Sequence, residues 1–302
     1  VPREYTAWLA GAARRTDLTA VGSGLLDGLY GTAWVLDLLG AADAARDTLD
    51  RAGQALTALA PASAAIGDGT AGAALVLLHF GETEAAGRLA SAAPPEAPGL
   101  LDGAAGTALL RLRLHAATGE EHWLRAAREA LAAALARCVF LDDGTVHVVK
   151  NGRHLPYLGG GSTGVALVAR AWLAAAATGG READDVELTA FVTGARRLGS
   201  AGFVREPGLI HGRAGVIGGL GDLGGTRADI AAQTARLAWH AVARDGAVRI
   251  PGTPLLRYSA DLATGAAGVL LAVHTGLTDG GFLDALLPGA SRPGPARGVR
   301  TP

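Results

Sequence analysis

LLDGLYGTAWVL, Leu25–Leu36, decides the fold because it returns along the chain. Its counterparts are AIGDGTAGAALVLL (Ala65–Leu78), LLDGAAGTALLRL (Leu100–Leu112), LGGGSTGVALVA (Leu158–Ala169), LIHGRAGVIGGL (Leu209–Leu220) and LATGAAGVLLAV (Leu262–Val273). The first glycines of the six Gly-x-x-Gly steps are Gly28, Gly69, Gly103, Gly161, Gly212 and Gly265, spaced by 41, 34, 58, 51 and 53 residues. Each interval has room for two helices and their connections. Every Gly-x-x-Gly opens an Ala-rich run that is apolar nearly all round, the signature of a helix buried on most sides. The glycines allow a tight turn and close helix approach. Between the runs lie segments with one charged face, at Ala41–Ala60, Glu120–Cys138, Glu182–Ser200 and Arg227–Asp245. These predict outer helices with one side in water.

Six inner and about six outer helices in alternation predict an all-α fold, a double-layered (α/α) toroid. A small β-hairpin insertion is expected in Val139–Tyr157, around Asp142-Asp143-Gly144, and a second β-prone piece at Ala247–Gly252. The domain is expected to run over residues 1–287. Residues 288–302, rich in Pro, Gly and Arg, are expected to be disordered.

The 302 residues carry a net charge of −1, which argues against nucleic-acid binding. Almost every basic residue is Arg and Lys150 is the one lysine, a pattern of GC-rich coding. With Cys138 as the one cysteine, no internal disulfide can form and nothing indicates secretion. No apolar run approaches the ~20 residues of a membrane span, and no signal peptide is visible, so a cytoplasmic location is expected. There is no methionine, even at position 1, so the chain is expected to be a piece of a longer protein.

In such a ring the inner helices start around one mouth. The residues just before each first glycine, Asp27, Asp68, Asp102, Gly160, His211 and Thr264, should face it together. Six helix N-termini there would favour an anionic group. An aspartate in this position is equally a helix cap, the preferred reading for Asp27 and Asp68. Asp102 and His211 stay open between structural and chemical roles.

The repeats resemble those of the lanthionine synthetase C-like cyclases, over about Gly24 to Leu287. PYLGGGSTGVAL, GLIHGRAG and SADLATGAAGVLLAV carry the likeness. The zinc enzymes of that family hold the metal with the Cys of Trp-Cys-x-Gly and the Cys and His of Cys-His-Gly. Here Gly159 and Ile210 stand at the cysteine positions and His211 at the histidine position. Asp102 stands where the family has its acid/base histidine. The resemblance therefore implies no cofactor, as one imidazole without thiolates makes no tetrahedral zinc site. It implies the cyclase domain of a class III lanthipeptide synthetase, joined to lyase and kinase domains and acting on a dehydrated precursor peptide.

The implied reaction is Michael-type addition of a peptide cysteine to dehydroalanine or dehydrobutyrine, forming lanthionine or labionin. A thiol near pKa 8.5 needs a base, and His211 is the candidate. The enolate needs a cationic or hydrogen-bonding partner, for which Arg213, Tyr157 and helix amides are candidates. Asp102 is the candidate proton donor, aided by Asp27 and Asp68. His154 and Thr264 complete the candidate peptide contacts. An alternative is a non-catalytic peptide-binding module on the same fold. A carbohydrate-active toroid is poorly supported, because aromatics make up only 5% of the chain.

Overall fold

The computed structural model describes residues 2–22, 24–58, 63–178, 185–201, 204–253, 255–278 and 281–289. Of the tail expected to be disordered, 290–302 lies outside these residues. The fold is all-α with two small antiparallel sheets.

The six Gly-x-x-Gly runs are helices α2 (Leu29–Leu38), α4 (Thr70–His79), α6 (Ala104–Thr118), α8 (Ser162–Thr178), α10 (Arg213–Asp222) and α12 (Ala266–Leu277). Each packs on the next in sequence order. Eleven consecutive residues of α6, from Ala104 to Leu114, are buried, as the absence of a polar face requires. The outer layer is α3 (Ala42–Ala58), α5 (Thr83–Ala90), α7 (Glu121–Leu135), α9 (Val186–Ala201) and α11 (Arg227–Leu237). Here burial follows the helical period: α7 buries Leu124, Ala127, Leu131 and Ala134. Helix α1 (Arg3–Arg15) covers α2 and α3 from outside.

What curls the layers into a ring is the second glycine of each repeat. A β-carbon at Gly72 would come 2.0 Å from the Ile66 carbonyl and 2.9 Å from Leu25 Cβ of the preceding repeat. The same contact recurs between Gly106 and Ile66, Gly164 and Leu100, Gly215 and Leu158, and Gly268 and Leu209. A backbone ladder reinforces it. The amides of Leu26, Gly67, Leu101, Gly159 and Ile210 donate to the carbonyls of Gly67, Leu101, Gly159, Ile210 and Ala263, each at 2.9–3.0 Å. Every residue in this ladder lies two places before a first glycine.

Helix α13 (Phe282–Leu286) is not a sixth outer helix of the expected kind. It packs on α10 and α12 and is clipped to α6 by Arg113. That guanidinium donates to the carbonyls of Leu287 (2.8 Å) and Pro288 and pairs with Asp284 at 3.0 Å. Burial pushes Arg113 down to about 10. Asp222 Oδ2 accepts the Leu283 amide at 3.2 Å.

Two sequence expectations are corrected. The insertion is a three-stranded meander, β1 (Cys138–Phe140), β2 (Val146–Lys150) and β3 (Arg153–Leu155), rather than one hairpin. Asn151-Gly152, at φ 52° and 70°, makes its second tight turn. The outer helix expected to reach Asp245 stops at Leu237, because Asp245-Gly246, at φ 53° and 73°, folds β4 (Val242–Arg244) onto β5 (Ala247–Arg249).

Candidate functional site

The ladder arranges the six turns side by side around one rim. Asp27, Asp68, Asp102 and His211 are exposed there, and Thr264 is half-buried. Asp102 and His211 stand on either side of the fourth turn. The Asp102 carboxylate lies against Gly160, and a β-carbon at Gly159 would come 3.2 Å from His211 Cε1 and 2.6 Å from Ile210 Cγ2. Tyr157 meets the His211 ring edge-on, with centroids 6.0 Å apart.

The three positions to which the resemblance assigns a metal, Gly159, Ile210 and His211, are thus neighbours in space. They do not fit zinc. The Ile210 side chain fills the space a side chain at Gly159 would enter, and His211 alone carries a donor. Cys138 offers no thiolate: its Sγ donates to the Ala134 carbonyl, and burial pushes the thiol up to about 12.

The sheet insertion contributes a residue that the sequence reasoning did not place at the rim. Ser162, which begins α8, accepts the Val148 amide at 2.9 Å and donates to the Leu155 carbonyl at 3.2 Å. This ties β2 and β3 to the fourth repeat and brings Lys150 Nζ to 3.6 Å from Asp102 Oδ2. The available signal was its being the one lysine in an arginine-dominated chain. His154 is exposed on β3, its ring 4.6 Å from that of His147. His147 is buried, and burial and His154 lower its pKa.

Arg213 is a correction. It is 1% exposed, and its guanidinium donates to the Val204 carbonyl and the Gln233 side chain, toward the outer layer. As the first residue of α10 it begins the helix, but its side chain packs between helices and cannot reach the mouth. The helix amides are a second correction. The amides of Ala104, Ala105 and Gly106 donate to the carbonyls of Ala97, Pro98 and Gly99 in their own loop. Those of Arg213 and Ala214 do the same with Glu206 and Pro207. These two turns therefore consume the donors that an anion would have used.

The aspartates are not caps either. The cap positions are held by Gly28, Gly69 and Gly103, without side-chain bonds. Asp68 accepts from Ser63 Oγ at 3.3 Å, and the Asp27 carboxylate lies against Gly22 and Gly24. Thr264 donates through its hydroxyl (2.9 Å) and amide (2.7 Å) to Asp261. Bonds from Ser259, then from the Thr264 and Ala263 backbone, hold Asp261 down at about 2.

From the rim a cavity of about 640 Å³ runs inward, walled by α1, α2 and the Asp261–Ala263 turn that precedes α12. Leu101 and Ile210 lie at its mouth end, and Leu286 and Leu287 close its floor. Among the described residues no helix is long and apolar enough to cross a membrane.

No protein-family model matches the chain. The chain is similar to a probable SapB synthase of Streptomyces coelicolor, at 36% identity over 175 residues. The match covers 56% of this chain and 18% of that protein, so the chain spans less than a fifth of its relative's length.

Proposed function

We propose that this chain is the cyclase domain of a class III lanthipeptide synthetase and works without a metal. The observation that carries the reading is the gathering of His211, Tyr157, Asp102 and Lys150 around the fourth turn. The similarity to a synthase much longer than this chain supports it, and leaves room there for lyase and kinase domains.

In this reading His211 takes the proton of a peptide cysteine. The thiolate sulfur bonds to the β-carbon of dehydroalanine or dehydrobutyrine, and the π electrons move to the carbonyl oxygen. Lys150 takes the part first given to Arg213, meeting the enolate with a positive charge. Asp102 relays the proton taken up by His211 to the α-carbon, which completes a lanthionine and returns both residues to their starting states. Attack by the same enolate on a second dehydroalanine would give labionin. Asp27, Asp68, Thr264 and His154 contact the peptide along the rim.

The test is thiol consumption by the purified chain with a dehydrated, cysteine-containing peptide under chelator, beside an enzyme-free control. Acceleration that is lost in His211→Ala supports the reading. No acceleration by folded protein overturns it in favour of a peptide-holding module.

A further inference from the structure

The sheet insertion carries two imidazoles on one face. In the register of β2 with β3, His154 lies opposite Val149. Side chains alternate along a strand, so His147 and Val149 share a side, and His154 is the diagonal neighbour of His147. The two rings are 4.6 Å apart between centroids and tilted by 55°. Val146 and Val148 take the other face of β2 and are buried, Val146 against Gly194 of α9.

The surroundings of His147 are those of a ligand. The ring is 8% exposed. Thr145 donates its hydroxyl proton to Asp143 Oδ1 at 2.6 Å, which leaves its oxygen to accept from His147 Nε2 at 3.0 Å. That chain fixes the tautomer: the proton sits on Nε2, and Nδ1 carries a lone pair. Nδ1 is buried and has no hydrogen-bond partner among the described residues. Burial and His154 lower the His147 pKa, so the ring is neutral and able to coordinate at pH 7. A carboxylate acting through a hydroxyl on the far nitrogen is the kind of support that orients metal-bound histidines. An orphaned buried acceptor costs free energy, and here a second, exposed imidazole stands beside it.

We propose that His147 Nδ1 and His154 together bind one late first-row divalent cation, Cu(II) or Ni(II). The ring separation selects the class. With metal–nitrogen bonds of about 2.0–2.1 Å, two imidazoles have their centres roughly 4.5 Å apart at a square-planar angle and roughly 5 Å apart at a tetrahedral one. The observed 4.6 Å fits the square-planar case. Among the described residues no third His, Cys, Asp or Glu joins the pair, so the remaining positions are open to water or an incoming ligand. The ion would clasp β3 to β2, the strand whose end brings Lys150 to Asp102. Neither histidine takes part in forming the thioether, so the site stands or falls apart from the cyclase reading.

The probe is Cu(II) chloride added to the purified chain in a non-coordinating buffer at pH 7.5, followed by calorimetry and by the nitrogen splittings of the EPR spectrum. The expected result is one saturable site with two imidazole nitrogens. His154→Gln changes an exposed residue, so the variant folds, and it should weaken binding at least about tenfold. Thr145→Val, which removes the hydroxyl that orients His147, should weaken it about tenfold. Copper should raise the Tm of the parent chain and leave that of His154→Gln unmoved. Binding through a single imidazole, binding unchanged in His154→Gln, or no binding to folded protein overturns the proposal. So does a two-nitrogen site that survives His154→Gln and is lost in His211→Gln, which would place the ion at the rim.

Discussion

The joint between the fourth and fifth repeats and the seam between the sixth and the first are built from the same sequence pattern. In the joint, Leu158 is fully buried under Gly215, the Gly159 amide bonds the Ile210 carbonyl at 2.9 Å, and His211 is placed against Gly159 and Tyr157. At the seam Leu262 has no glycine over it and faces a cavity. Identical local chemistry thus yields a rigid, residue-positioning contact where the next repeat's glycine lies over the leucine, and leaves Leu262 41% exposed. The joint is suited to holding reacting groups in register.

This contrast is broken most strongly by truncating its matching leucines. Leu158→Ala should destabilise the fold by about 2–5 kcal/mol, since it empties a fully buried site, and Leu262→Ala by less than about 1 kcal/mol. Urea unfolding of the two variants checks this, and equal losses would show that Leu262 is covered in solution. His211→Ala should slow peptide thiol consumption about 100-fold, the lower end of what a general base supplies. Removal of the Leu262 side chain should leave that rate unchanged at saturating peptide. Lys150→Ala should reduce it about tenfold with partial rescue in Lys150→Arg, as the charge rather than the amine is required.

Smaller effects follow from titration on the closed side of the ring. Burial lowers the pKa of His147 and of His240. The unfolded chain therefore takes up protons first as pH falls, and stability should decline below pH about 6.5, the ordinary histidine value. A lower Tm at pH 5.5 than at pH 7.5, with the difference reduced in His147→Gln, is the expected outcome. Cys138, held protonated by burial, should react with a thiol reagent at pH 7 far more slowly than a free peptide cysteine. That keeps it out of the thiol-consumption assay.

The six Gly-x-x-Gly steps determined the layers, the order of helices and the residues of the rim, because a glycine needed for close approach is visible wherever it stands. Position in sequence also put His211 and Asp102 at one mouth, and the structure adds that Tyr157 and the fourth turn lie between them. Side-chain direction was not legible in this way. Arg213 follows the glycine of the most informative motif, yet only packing shows that it turns outward to Gln233. The helix amides looked free because the loop carbonyls seven residues back had not yet been folded onto them. Lys150 reaches Asp102 through a meander anchored by Ser162, a contact between residues 48 apart with no local signature. The sequence by itself determined which surfaces match one another. Only the tertiary structure decided which way the side chains between those surfaces point, since that depends on packing against residues far away in the sequence.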